Sequence, residues 1–234
     1  MNQYLIVADG DFQVKEIILE AATDCQIVAL DGAANKLIAL DITPHLIIGD
    51  MDSINLSAPS IQKIILHHHD EQDTTDLVKA IRHCDKHGAK QISIVCATGG
   101  RLDHHEATMR ALRSEYKQNR TITIHTEQQS IRYAHNETVT IAGESGDKCG
   151  VFAYPKAKCT SHGLKFEMTN FELDFAYSES VSNELISPTA TINMQGDALI
   201  IMPPQLISQR EFMRLSKVEQ LEQQLRDAMR FHNR

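Results

Sequence analysis

The chain has 234 residues, enough to bury a substantial core without disulfides or structural metal. Its 31 acidic and 23 basic side chains leave a formal charge of −8 with no long Lys/Arg run, which argues against nucleic acid or an anionic membrane as the main partner. No stretch approaches the roughly 18 apolar residues of a membrane span, the N-terminus has no basic region before its short apolar run, and five cysteines without C-x-x-C read as reduced thiols, so a soluble, cytoplasmic protein is expected.

In chain order, short apolar runs stop at turn residues. Tyr4-Leu5-Ile6-Val7-Ala8 stops at Asp9-Gly10, Gln26-Ile27-Val28-Ala29-Leu30 at Asp31-Gly32, and Leu46-Ile47-Ile48 at Gly49-Asp50. Lys63-Ile64-Ile65-Leu66 runs into His67, and Gln91-Ile92-Ser93-Ile94-Val95-Cys96 stops before Gly99-Gly100. Runs of this length, apolar at successive positions, suit strands buried on both faces of a parallel sheet. A helix is predicted from near Asp73 to Gly88, with Leu77, Ala80, Ile81 and Cys84 on one face. Another is predicted over about 103–116, and a strand over 121–124 closes this half. The alternation predicts a three-layer α/β domain with a mainly parallel sheet over residues 1–127.

After residue 128 the texture changes. Strand-like segments at 129–134, 138–142, 150–154, 164–168, 189–194 and 198–202 are punctuated by Gly, Asn, Asp and Pro. That pattern predicts an antiparallel β-sandwich over 128–205. Residues 206–234 form a helical extension, with Phe212, Leu215, Val218, Leu221, Leu225 and Met229 spaced for packing on the same chain or on a dimer partner.

Ligands of open parallel sheets sit beyond the carboxyl ends of the strands, and those ends carry Asp9, Asp31, Asp50, Asp52 and the Gly99-Gly100 loop. Turn chemistry explains any one of these acids. It explains a whole edge of them less well, because like charges oppose one another's ionisation unless a cation neutralises them. Asp50 and Asp52 are two apart, so an extended backbone would point both to one side, where hard oxygen ligands suit Mg²⁺. Asp73 reads as an N-cap with Asp76 in the first helical turn, a placement compatible with facing a metal. Gly99-Gly100-Arg101 before a helix is a candidate phosphate cradle or an ordinary turn. Neither G-x-x-x-x-G-K-[ST] nor G-x-G-x-x-G occurs. His67-His68-His69 and His104-His105 lack catalytic zinc spacing, since neighbours on a strand point to opposite faces, and read as solvated or structural histidines.

Six segments in order resemble the thiamine pyrophosphokinase family. They are Asp31-Gly32-Ala33-Ala34, Pro44 through Gly49-Asp50-Met51-Asp52-Ser53, Gln72-Asp73-Thr74-Thr75-Asp76, Gly99-Gly100-Arg101-Leu102-Asp103-His104, Gly163-Leu164-Lys165-Phe166 and Ser182-Asn183-Glu184-Leu185. The resemblance spans most of residues 4–203 and leaves the last helix outside. It implies transfer of pyrophosphate from ATP to the hydroxyethyl group of thiamine, giving thiamine diphosphate and AMP, in a homodimer with thiamine bound where subunits meet. It further implies that Asp50, Asp52 and Asp76 hold Mg²⁺ and handle phosphate, with Gln72 and Asp73 lining the same pocket and Asp73 or Asp76 receiving the hydroxyl proton. Asp31, Gly32, Gly99, Gly100, Arg101 and Asp103 would lie on the ATP side. Ser182 and Asn183 would meet thiamine, with Phe166 filling part of the role of a tryptophan that this chain lacks. A Mg²⁺-dependent nucleotide phosphohydrolase and a non-catalytic thiamine or nucleotide sensor are the alternatives.

Overall fold

The computed structural model describes residues 2–52, 54, 61, 64–68 and 73–232. Six parallel strands form its first half: β1 (Gln3–Val7), β2 (Gln26–Leu30), β3 (Leu46–Gly49), β4 (Ile65–His68), β5 (Gln91–Val95) and β6 (Thr121–His125), in the order β6-β5-β1-β2-β3-β4. Alternate side chains leave opposite faces, and here both faces are apolar. Leu5, Val7, Ala29 and Ile47 face α1 (Lys15–Ala21) and α2 (Ala33–Ala39) in one core. Ile6, Val28, Ile48, Ile92 and Ile94 face α3 (Asp76–Lys86) and α4 (Leu102–Ser114) in the other. The result is the expected three-layer α/β arrangement.

The sheet continues into the second half without a break. β7 (Ser130–His135) runs antiparallel to β6, then pairs with β12 (Thr189–Met202), which pairs with β9 (Lys148–His162). β10 (Phe171–Asp174) and β11 (Ser180–Glu184) both pair with β9, and β8 (Thr138–Ala142) with β12. Each long strand therefore serves two layers. The last part of β12 pairs with β7 and its first part with β8. The register breaks between Gly196 and Ala198, where a strand can turn the corner of a sandwich. Gly196 has φ +91, and a Cβ there would stand 2.4 Å from the Lys156 carbonyl oxygen, so the corner needs glycine. Val139, Ile141, Val151, Leu164, Ile192 and Ile200 fill the space between the layers.

Three sequence expectations change. The segments 189–194 and 198–202 are one bent strand. Residues 164–168 form a turn, because Glu167 accepts hydrogen bonds from the Gly163 and Leu164 amides and the Ser161 hydroxyl. Thr75, not Asp73, caps α3, its hydroxyl accepting from the Val78 amide at 3.4 Å.

α5 (Ile207–His232) is tied at its start. The Glu20 carboxylate accepts from the Ile207 and Ser208 amides, and Gln209, fully buried, donates to the Gln129 carbonyl at 3.1 Å. Beyond that first turn Leu215, Val218 and Leu221 are exposed, so self-packing covers only the helix start. The side chains of Leu225 and Met229 lie outside the described residues. All five cysteines are free thiols, and no helix among the described residues is long and apolar enough to cross a membrane.

Candidate active site

Pairing of β2 with β3 builds the acidic edge. Asp31 leaves β2 with φ 31, and its amide donates to the Ile48 carbonyl at 3.1 Å. Gly49 permits this approach, because a Cβ there would lie 2.9 Å from the Asp31 Cβ. Asp50 and Asp52 then come together through a turn rather than an extended strand: Met51 takes φ 64 and the Asp52 amide donates to Asp50 Oδ1 at 3.3 Å. One carboxylate oxygen each from Asp31, Asp50 and Asp52 lies within 4.8 Å of the others. Among the described residues no other group of three or more His, Cys, Asp or Glu converges in this way. Three hard oxygen donors so placed fit Mg²⁺ and suit a thiolate-preferring metal poorly.

Sequence reasoning grouped Asp76 with Asp50 and Asp52. The structure gathers Asp31 with that pair and sets Asp76 beside them. A Cβ on Gly49 would be 3.4 Å from Asp76 Oδ2, while Asp76 Oδ1 accepts from Lys79 Nζ at 3.0 Å. The Lys79 side chain is almost buried, which fixes that carboxylate from below. Asp73 is exposed in the approach to α3, and Gln72 lies outside the described residues.

The second part of the edge is the point where strand order reverses, between β1 and β5, the usual ligand crevice of such sheets. The two loops touch there. Gly10 donates to the Cys96 carbonyl at 2.8 Å, and a Cβ on Gly10 would stand 2.6 Å from the same oxygen. Gly99 and Gly100 both have positive φ, and a Cβ on Gly99 would collide with the Asp11 carboxylate. Arg101 begins α4 as its cap residue and holds Asp103 by two hydrogen bonds of 3.1 and 2.6 Å. The Arg101 guanidinium, helped by the His104 amide, lowers the Asp103 carboxyl to about 2, so this exposed pair stays fully charged at neutral pH. Gly32 opens α2 beside Asp31.

A cleft of about 770 Å³ adjoins this crevice, between the Asp11–Gln13 and Thr98–Gly99 segments, α4, and strands of the second half. Phe152, Tyr154, Phe175, Met109 and Leu199 give it apolar walls, and Glu106, Glu127 and Glu179 an acidic rim. The carboxylate triad is not part of its lining. It stands along the same strand edge, over β2 and β3.

In the second half Asn183 is buried and committed to the backbone. Its Oδ1 accepts from the Phe166 and Glu184 amides at 3.1 and 2.9 Å, and its Nδ2 donates to the Phe166 carbonyl at 2.8 Å. The Phe166 backbone is thereby held while the residue stays 62% exposed, and Ser182 is exposed at φ 57. Sequence reasoning did not single out Asp11, the Asp9–Lys36 ion pair at 2.8 Å, or Lys79. Asp9 was visible as a strand-end acid, but its partner on α2 depends on tertiary packing.

Comparison with known proteins adds the following. Residues 19–124 match the family model of the thiamin pyrophosphokinase catalytic domain, and residues 121–199 that of the thiamin pyrophosphokinase vitamin B1 binding domain. Thiamin pyrophosphokinase 1 of Caenorhabditis elegans is 28% identical over 181 residues, 68% of this chain and 70% of that protein. Thiamine pyrophosphokinase 1 of Arabidopsis thaliana is 31% identical over 172 residues, 67% of this chain and 64% of that protein, so the match leaves over a third of the plant relative uncovered. The solved thiamine pyrophosphokinase of Bacillus subtilis superposes with a TM-score of 0.77 at 23% identity, covering 87% of this chain and all of that one. That of Candida albicans gives 0.74 at 18% identity, covering 87% and 89%. At these identities the structural likeness establishes the fold.

Proposed function

The chain belongs to the thiamin pyrophosphokinase family, enzymes that form thiamine diphosphate by pyrophosphate transfer, and from that premise we propose that it takes the pyrophosphoryl group from ATP and releases AMP. The convergence of Asp31, Asp50 and Asp52 carries this reading. Three crowded carboxylates on a strand edge are costly by themselves and become favourable around a cation. Mg²⁺ held by these three would neutralise charge on the transferred phosphates.

The nucleoside occupies the cleft beside β1 and β5, whose volume of about 770 Å³ suits a ligand of that size. The Gly99-Gly100-Arg101 turn, at the start of α4, supplies backbone amides and a guanidinium to the phosphates. The thiamine hydroxyl attacks the β-phosphorus in line with the departing AMP. Asp76 Oδ2, on the side away from Lys79, takes the hydroxyl proton, with Asp73 at the rim. Phe166 and Ser182 contact thiamine, and Asn183 positions them. Exposed Phe171, Phe175, Tyr177 and Val181 in the same half support a homodimer in which thiamine binds between subunits. Labour then divides among residues 1–127 for nucleotide and metal, 128–205 for thiamine, and 206–234 outside the chemistry. Four buried free thiols support a reducing, cytoplasmic setting.

Incubation with Mg²⁺, ATP and thiamine tests the proposal. AMP should appear only when thiamine is present, in step with thiamine diphosphate. AMP or ADP without thiamine would identify a phosphohydrolase, and tight binding without turnover a sensor.

A further inference from the structure

The cleft beside β1 and β5 has one polar wall that the pyrophosphoryl chemistry does not use. Gln13, in the loop after β1, crosses the carboxyl ends of β5 and β6. Its backbone amide donates to Cys96 Sγ at 3.5 Å, and its side-chain Nε2 donates to the His125 carbonyl at 2.7 Å. The residue is 7% exposed and borders the cleft. A carbonyl only accepts, so the atom facing His125 is the nitrogen, and the identity of the side-chain oxygen is fixed with it. That Oε1 is buried and finds no donor among the described residues. Orphaned acceptors are rare in folded chains, and one in the wall of a ligand cleft marks the place of a ligand donor.

The β6–β7 turn continues this wall. Thr126 Oγ1 accepts from the Gln128 and Gln129 amides at 3.2 and 3.0 Å, while Gln209 of α5 donates to the Thr126 and Gln129 carbonyls. The turn is thereby held, and Glu127 within it borders the cleft as a second acceptor. Among the described residues no Lys or Arg borders the cleft. Such a wall takes a base edge that donates. It opposes one that presents a carbonyl oxygen, because two acceptors would then face each other. Adenine donates through its 6-amino group, whereas hypoxanthine carries an oxygen at that position. Phe152, Tyr154 and Leu199 supply apolar surface for the faces of the ring.

We propose that Gln13 selects the nucleobase, its Oε1 accepting from the 6-amino group of adenine, a role that rests on the nucleoside occupying this cleft. Gln13 is then a specificity residue and takes no part in moving the pyrophosphoryl group. The carboxylate triad stands apart from it, over β2 and β3.

The test compares ATP, inosine triphosphate and purine riboside triphosphate, which carries only hydrogen at position 6. Thiamine-dependent release of each monophosphate is measured, alongside calorimetric binding of each nucleotide to the full chain in Mg²⁺. Loss of the amino group should lower kcat/KM by about tenfold or more, and the carbonyl oxygen should lower it further. Gln13→Met should shrink the preference for ATP over inosine triphosphate by about tenfold, with the KM for thiamine unchanged. Equal use of ATP and purine riboside triphosphate by the native chain would overturn the role, as would an undiminished preference in folded Gln13→Met. A raised KM for thiamine in that variant, with the nucleotide preference intact, would place thiamine in the cleft instead. If Gln13→Met loses its folded circular dichroism, the native three-nucleotide series decides alone. Absence of transfer with every nucleotide would overturn the pyrophosphoryl reading, and the calorimetric series would then decide the base preference separately.

Discussion

Carboxylates in the two halves of the chain are treated in opposite ways. In the antiparallel half several are held singly by donors. Burial works against ionisation of Glu167, but bonds from the Ser161 hydroxyl and the Leu164 and Gly163 amides hold its pKa below the usual range. Lys148 and Lys165 do the same for Glu184, and Asp197 accepts from Tyr133 and His135. At the carboxyl edge of the parallel half, Asp31, Asp50 and Asp52 are pressed together, with Asp76 alongside. The first arrangement holds a turn or strand in place. The second sacrifices electrostatic comfort for a concentrated negative site, the usual mark of a ligand or a reaction.

The largest expected effect breaks this contrast most directly. Asp52→Asn should lower turnover by about 10³, on the order of 4 kcal/mol in the barrier, while the melting temperature holds or rises as repulsion is relieved. Glu167→Gln should do the reverse, lowering stability by about 1 kcal/mol with turnover intact. AMP-release assays paired with calorimetric melting check both. Near-normal turnover in Asp52→Asn would remove that residue from the metal set.

Much of the parallel half was legible because strands buried on both faces read as continuous apolar runs, and the first three stop at an acid or glycine. The two short helices α1 and α2 were not, since seven residues give too little helical periodicity to register. In the antiparallel half, Gly196 reads as a break between two strands, yet it is the bend within one. Residues 164–168 alternate like a strand, but the local bonds of Glu167 win. At the site, the acids were visible and their grouping was not. Asp31 joins Asp50 and Asp52 only through β2–β3 pairing across Gly49.

The next effect tests the seam between the halves. His125, at the end of β6, is 5% exposed, and burial lowers its pKa from 6.5 to about 4 against opposing contributions from Glu20 and Gln209. The folded state therefore binds this proton less readily than the unfolded chain. Stability should be complete above about pH 6.5 and fall as the pH drops toward 4, by up to about 3 kcal/mol at about 1.4 kcal/mol per unit. Urea unfolding between pH 7 and 4 reads this, and His125→Gln should flatten the slope. An unchanged slope would place the acid sensitivity elsewhere.

Gly49→Ala probes the acidic edge by geometry, without altering charge. The added methyl would stand 2.9 Å from the Asp31 Cβ and must displace it. A shift of about 1 Å should cost roughly 10 to 100-fold in turnover, and the Mg²⁺ concentration for half-maximal activity should rise. Loss of turnover with unchanged Mg²⁺ dependence would separate Asp31 from the metal set.

The smallest effect asks whether the antiparallel half also stores strain for function. Ser182 holds φ 57, a conformation that disfavours residues with a Cβ, next to the Asn183 amide that fixes the Phe166 turn. Ser182→Gly relieves that strain but loosens the unfolded chain, so a net gain of about 0.5 kcal/mol in stability is expected. If the hydroxyl meets thiamine, the same variant should raise the KM for thiamine several-fold while the KM for ATP stays constant. A stabilised enzyme with both constants unchanged would make Ser182 a turn residue only. Thiamine recognition would then fall to the exposed Phe166 ring, and the contrast between carboxylates held singly in one half and gathered together at the edge of the other would become sharper.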